Sequence, residues 1–148
     1  MRRVIPVAAL AAALLALAGC ATPAPGVPAA MAIQSGSNGF ALQLCSSKTV
    51  QSVNAAVVAK GARTVFWQAA GSVHVAAGSL LTTTAVADSF TTVTTASDPV
   101  LAGADQLTVA LASSTGEIDA SFDLTQLDPA DAASWLTPDG RLTAKPCG

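Results

Sequence analysis

Between Gln106 and Leu124 the chain alternates apolar and polar residues with a period of two. In "QLTVALA" (106–112), Leu107, Val109 and Leu111 share one face. In "EIDASFDL" (117–124), Ile118, Ala120, Phe122 and Leu124 face one way and Glu117, Asp119, Ser121 and Asp123 the other. A helix cannot bury such a pattern on one side, so it predicts two half-buried antiparallel strands. The link between them, Ser113-Ser114-Thr115-Gly116, is short and polar and predicts a hairpin. Three further segments, "GFALQLC" (39–45), "RTVFWQA" (63–69) and "SFTTVTT" (89–95), read as strands from their β-branched and aromatic content. "RLTAK" (141–145) is another, entered through the turn Pro138-Asp139-Gly140.

Two segments have competing readings. "SSKTVQSVNAAVVAKG" (46–61) places Val50, Val53 and Val57 at helical spacing, with Ser46 or Ser47 as a start cap and Gly61 as an end cap. Valine favours strands, and the neighbouring segments are strands, so a strand from about Thr49 to Val58 is the expectation. "LDPADAASWL" (127–136) predicts a short helical turn near 128–136, with Asp128 as N-cap, Pro129 in first position and Trp135 covering one end of the core. Short strands separated by turns, with no long helical pattern, predict an all-β fold, an antiparallel immunoglobulin-like β-sandwich over 35–148.

The first residues are read as an export signal, not as fold. Arg2 and Arg3 precede an apolar run from Val4 to Ala18, which is shorter than the roughly 20 residues of a membrane-spanning helix and contains Pro6. Ala16-Leu17-Ala18 satisfies the small-x-small rule of an ordinary secretory signal, which would release a soluble protein starting at Gly19. "LAGC" at 17–20 resembles the lipobox of bacterial lipoproteins at every position. The resemblance implies that the Cys20 thiol takes a diacylglyceryl group as a thioether, that cleavage precedes Cys20, and that the freed amine is acylated. Two or more acyl chains anchor stably, each buried methylene contributing about 0.8 kcal/mol. Residues 1–19 are then a lipoprotein signal peptide, and 20–34 a lipidated cysteine followed by a Pro/Ala tether. The layout of tether, all-β domain and a cysteine near each end is similar to small actinobacterial envelope lipoproteins such as the mycobacterial 19-kDa lipoprotein antigens. Only Cys20 inherits a role from that resemblance. An exported protein with three cysteines leaves one thiol unpaired, and assigning Cys20 to lipid leaves Cys45 and Cys147 to form a disulfide.

Removing Arg2 and Arg3 with the signal leaves five basic residues against nine acids, a net charge of −4, and all nine acids lie between Asp88 and Asp139. That balance argues against nucleic acid as a partner, because its binding needs clustered Lys and Arg. His74 is the only histidine, and the chain has no GxSxG, CxxC, GxGxxG or P-loop motif. No catalytic set, metal site or cofactor is therefore expected. Asp119 and Asp123, with Asp128 and Asp131, fit either a surface calcium site or a solvated strand face, and the face is preferred. Val65 and Trp67 share a strand face and Phe66 takes the other; Trp67 is expected in the core, and Phe66 and Trp67 together mark a partner surface if Phe66 faces outward.

The expected function is a non-enzymatic binding or structural module, lipid-anchored to the cell membrane on its extracytoplasmic side. Its partners would be the membrane through Cys20, and envelope proteins or cell-wall polymers. One alternative is a carrier of a small apolar ligand or lipid between the sheets, suggested by the abundance of Ala and Val. Another is an envelope hydrolase using Asp119 or Asp123, which needs those carboxyls in a cleft with raised pKa values.

Overall fold

The period-two segments all form strands. The computed structural model of the protein describes residues 31–36, 39–83, 89–127 and 133–147. Ten strands follow in order: β1 Met31–Gly36, β2 Gly39–Leu44, β3 Lys48–Ala59, β4 Ala62–Val75, β5 Leu80–Thr82, β6 Thr92–Ala96, β7 Gln106–Ser113, β8 Gly116–Asp123, β9 Trp135–Leu136 and β10 Leu142–Thr143. A 3-10 turn at Leu124–Gln126 is the one helical element among the described residues. The ambiguous segment 46–61 is strand β3, which pairs antiparallel with β4 on one side and β7 on the other. Lys60 and Gly61, both at positive φ (51° and 79°), make the two-residue turn into β4. Such φ values suit a hairpin whose twist matches its strands.

The strands form two antiparallel sheets, β10-β9-β1-β2-β5 and β6-β4-β3-β7-β8. Their inner faces share one hydrophobic core, with Met31, Ile33, Phe40, Leu42 and Leu44 from the first sheet and Val53, Trp67, Leu107, Leu111 and Phe122 among those from the second. Phe40 of β2 and Phe66 of β4 meet edge to face across the sheets, ring centres 5.2 Å apart. This geometry matches the quadrupole of the rings.

Three expectations are corrected. Phe66 does not face solvent. Ala55 pairs with Trp67 but Ala56 with Val65, so Phe66 is an extra residue in β4, a β-bulge that breaks the alternation. Phe66 and Trp67 are therefore both buried, at 3% and 1% exposure, and neither offers a partner surface. The tether does not reach Gln34, because β1 begins at Met31 and Met31, Ala32 and Ile33 are all buried, Met31 and Ile33 within the core. Trp135 and Leu136 are strand, not helix: Leu136 pairs with Ile33 and enters the core, while Trp135 is buried outside that cluster. Residues 128–132 of the expected helical turn, including Asp128 and Asp131, lie outside the described residues.

The edge of β4 depends on one glycine. At Gly71 φ is +150°, and a Cβ there would stand 2.5 Å from the Thr91 backbone nitrogen. Both strain and overlap oppose a side chain. Gly71→Ala is expected to cost about 1–3 kcal/mol, read as a lowered urea midpoint at unchanged slope. An unchanged midpoint would show that β4 and the 89–91 segment separate freely.

Candidate functional site

The expected chemistry-bearing residues are scattered. Cys45, just after β2, is bonded to Cys147, 102 positions further along the chain, with their Cα atoms 5.0 Å apart. The pair is thus structural, and Cys20 lies outside the described residues. His74 is exposed on β4, opposite Thr49. Asp119 and Asp123 are exposed on the same side of β8, an edge strand. Four residues of strand separate their Cα atoms by about 13 Å, and side chains standing on one face of a strand keep roughly that spacing, more than the roughly 5–9.5 Å between the carboxyls of a glycosidase pair. Among the described residues, no three His, Cys, Asp or Glu side chains converge as they would on a metal.

Asp123 has a different task. Its Oδ1 accepts from the Thr125 hydroxyl at 2.6 Å and from the Thr125 backbone N–H at 3.0 Å, capping the 3-10 turn. The Thr125 hydroxyl, then the Thr125 N–H, hold its carboxyl below the usual carboxylate range. A general acid needs the opposite displacement. Asp139 is lowered as well, first by the Thr137 hydroxyl and then by the charge of Arg141, whose Nε lies 2.7 Å from Oδ2. These contacts close the turn 137–140, where Gly140 N–H donates to Thr137 O at 2.9 Å.

Both carboxyls bind protons less readily folded than unfolded, so they contribute stability that is present above the ordinary pKa of about 3.9 and is lost as pH falls through the lowered value. Replacing both Asp123 and Asp139 by Asn is expected to flatten the fall of Tm with acid below about pH 4. Parallel acid limbs for the variant and the parent would refute the assignment.

The outer face of the second sheet carries a shallow depression of about 380 Å³, lined by Asn54, Arg63, Thr108, Val109, Ala110, Asp119, Ala120 and Ser121. Register builds it. Asn54, Ala110 and Asp119 lie in one row across β3, β7 and β8, and Thr108 pairs with Ser121 in the neighbouring row. Arg63 reaches over β3 and donates from Nη2 to Asn54 Oδ1 at 3.0 Å, which fixes its guanidinium on one side of the row. Asp119 stands on the other side, about two strand spacings or 10 Å from Asn54. Ala110 between them leaves the floor low. The site offers a cation, an anion, and hydroxyl and amide groups on a rigid sheet.

Protein-family models, curated proteins and solved structures provide no match to this chain. Its site is therefore read from its own residues. The space that a carrier needs between the sheets is occupied by large side chains, with Trp67, Phe40, Phe122 and Met31 all under 2% exposed. Every buried side-chain nitrogen and oxygen among the described residues has a hydrogen-bond partner. None is left aimed at an internal ligand.

Of the groups around the depression, only Asp119 was singled out by sequence. Asn54, Arg63, Thr108 and Ser121 were missed because each is an ordinary outward position on its own strand. The alternation signalled that they face solvent, but only cross-strand register brings them together.

Proposed function

We propose that the protein is a lipid-anchored module of the cell envelope that binds a polar partner through the outer face of its second sheet and performs no catalysis. One observation carries this reading. The bridge uses Cys45 and Cys147, which leaves Cys20 as the odd cysteine, and Cys20 is the residue that ends "LAGC". A bridge of this kind persists in oxidising compartments, in keeping with export. The partner fitted by Arg63, Asn54, Thr108, Ser121 and Asp119 is hydroxylated or zwitterionic, as an envelope polymer or protein surface is.

The immunoglobulin-like reading of the fold is supported by strand order. The runs β1-β2-β5 and β4-β3-β7-β8 follow the A-B-E and C′-C-F-G neighbours of that arrangement. Added to them are β9 and β10 beside β1, and β6 beside β4. The tryptophan and disulfide of antibody domains have no direct counterparts, since Trp67 is on β4 and the bridge ties β2 to the C-terminal segment.

The test is the intact mass of the protein extracted from membranes, beside Cys20→Ala. The expected result is a chain starting at Cys20 with added thioether-linked and amide-linked acyl mass, and loss of both in the variant. A lipid-free chain starting at Gly19 would overturn the anchor.

A further inference from the structure

The register places several turns at one end of the molecule. Met31, where β1 begins, pairs with Leu44, the last residue of β2, and only three residues then separate Leu44 from Lys48 at the start of β3. The turn after β4 returns to the same place, with Gly78 N–H donating to Leu44 O at 2.8 Å and Ala77 N–H to Ser47 Oγ at 3.0 Å. The β7–β8 turn joins them through Ser114 N–H to Thr49 O at 3.1 Å and Lys48 Nζ to Thr115 Oγ1 at 3.4 Å. The Cys45–Cys147 bridge closes this end. The Lys60-Gly61 turn, Asp105 and the 3-10 turn occupy the other: Lys60 N–H donates to Asp105 Oδ2 at 3.0 Å, and Leu124 N–H to Asp105 O at 3.1 Å.

We propose that the end carrying the turns 45–47, 76–79 and 113–116 rests on an anionic lipid surface and that the Lys60-Gly61 end points away from it. The proposal rests on Cys20 being the lipid attachment point. Ten residues, 21–30, separate Cys20 from Met31. From Cys20 to Met31 is eleven steps along the chain, a reach of at most about 36–40 Å. β3 is twelve residues long, so the far end of the sheet is roughly 36 Å from the near one. Setting the far end on the membrane would require this segment to be stretched to nearly its full reach along the molecule, whereas the near end is reached without such stretching.

Charge selects between the remaining orientations. Lying on the outer face of the second sheet would press Glu117, Asp119 and Asp123 of β8 against anionic headgroups. The near end instead offers exposed serines and alanines, with Lys48 in the cluster and Lys145 two residues from the bridge against one acid, Glu117 beside the 113–116 turn. In the end-on pose the Arg63–Asp119 depression stays open to the side.

The experiment uses isotope-labelled lipoprotein in nanodiscs of phosphatidylcholine and phosphatidylglycerol with a gadolinium-chelating headgroup lipid. Amide signals of Ser47, Lys48, Ala77, Gly78, Ser114 and Thr115 are expected to be broadened severalfold more than those of Lys60, Gly61, Asp105 and Thr125. Lys48→Glu with Lys145→Glu is expected to shrink that contrast. Equal broadening at both ends, or stronger broadening at the Lys60 end, would overturn the proposal. The mass of the same sample separates the two readings: a lipidated chain with equal broadening defeats the orientation alone. If the mass shows no lipid, the Cys20 thiol is coupled to a maleimide lipid and the measurement repeated, so the orientation is judged whether or not the cell lipidates Cys20.

Discussion

Replacing Cys45 and Cys147 together by alanine is expected to lower the stability of the folded domain by about 3–5 kcal/mol. The bridge spans 102 residues, and for a loop of about that length the chain-entropy account gives roughly 4.7 kcal/mol, with measured effects commonly smaller. Against a total of roughly 5–15 kcal/mol for a single domain, that is a large share. The structure indicates where the loss falls. The segment carrying Cys147 follows β10, a two-residue strand at the sheet edge that is paired only with the two-residue β9. Few ladder bonds hold that segment, so the bridge fixes it to the end of β2. Urea unfolding of parent and double variant measures the effect, and hydrogen exchange should show protection lost first at β9 and β10. A difference below about 1 kcal/mol would mean that the strands hold the C-terminal segment unaided.

Phe66→Ala is expected to cost about 3–5 kcal/mol, the range for truncating a large buried aromatic. Phe66 is 3% exposed and meets Phe40 edge to face, so a double-mutant cycle with Phe40→Ala should return a coupling of about 0.5–1.5 kcal/mol. Val65, beside it in sequence, is only half-buried, and Val65→Ala should cost much less. The contrast between adjacent residues tests the bulge. If Phe66 faced solvent, its truncation would change stability by no more than about 0.5 kcal/mol.

The strands were legible where alternation is regular and turn chemistry is explicit. The β7–β8 hairpin runs in unbroken register from the Gln106–Asp123 pair to the Ser113–Gly116 pair, as its pattern requires. In β3, the preference of valine for strands prevailed over helical spacing because pairing on both sides extends the segment to twelve residues. Readings failed where a neighbour overrode the local pattern. A period-two rule cannot place two consecutive aromatics on the same side, and only the bulge opposite Ala55 and Ala56 does so. Trp135 and Leu136 look helical beside Asp128 and Pro129, yet the open edge of β1 recruits them as a strand. Met31 and Ile33 adjoin a Pro/Ala run that masks their alternation, and burial against the second sheet reveals them as core.

The proposed address rests on sequence alone, since a charged start, an apolar run and "LAGC" are read as a linear signal and need no fold. The all-β class is likewise written in the residues, because period-two patterning selects a pleated chain before any partner strand is known. The three-dimensional structure decided which strands became neighbours. It thereby set Arg63 and Asp119, 56 positions apart in the chain, on two sides of one depression. The physical reason is that alternation specifies a face, whereas a site requires register, and register arises only when the strands pair across a common core.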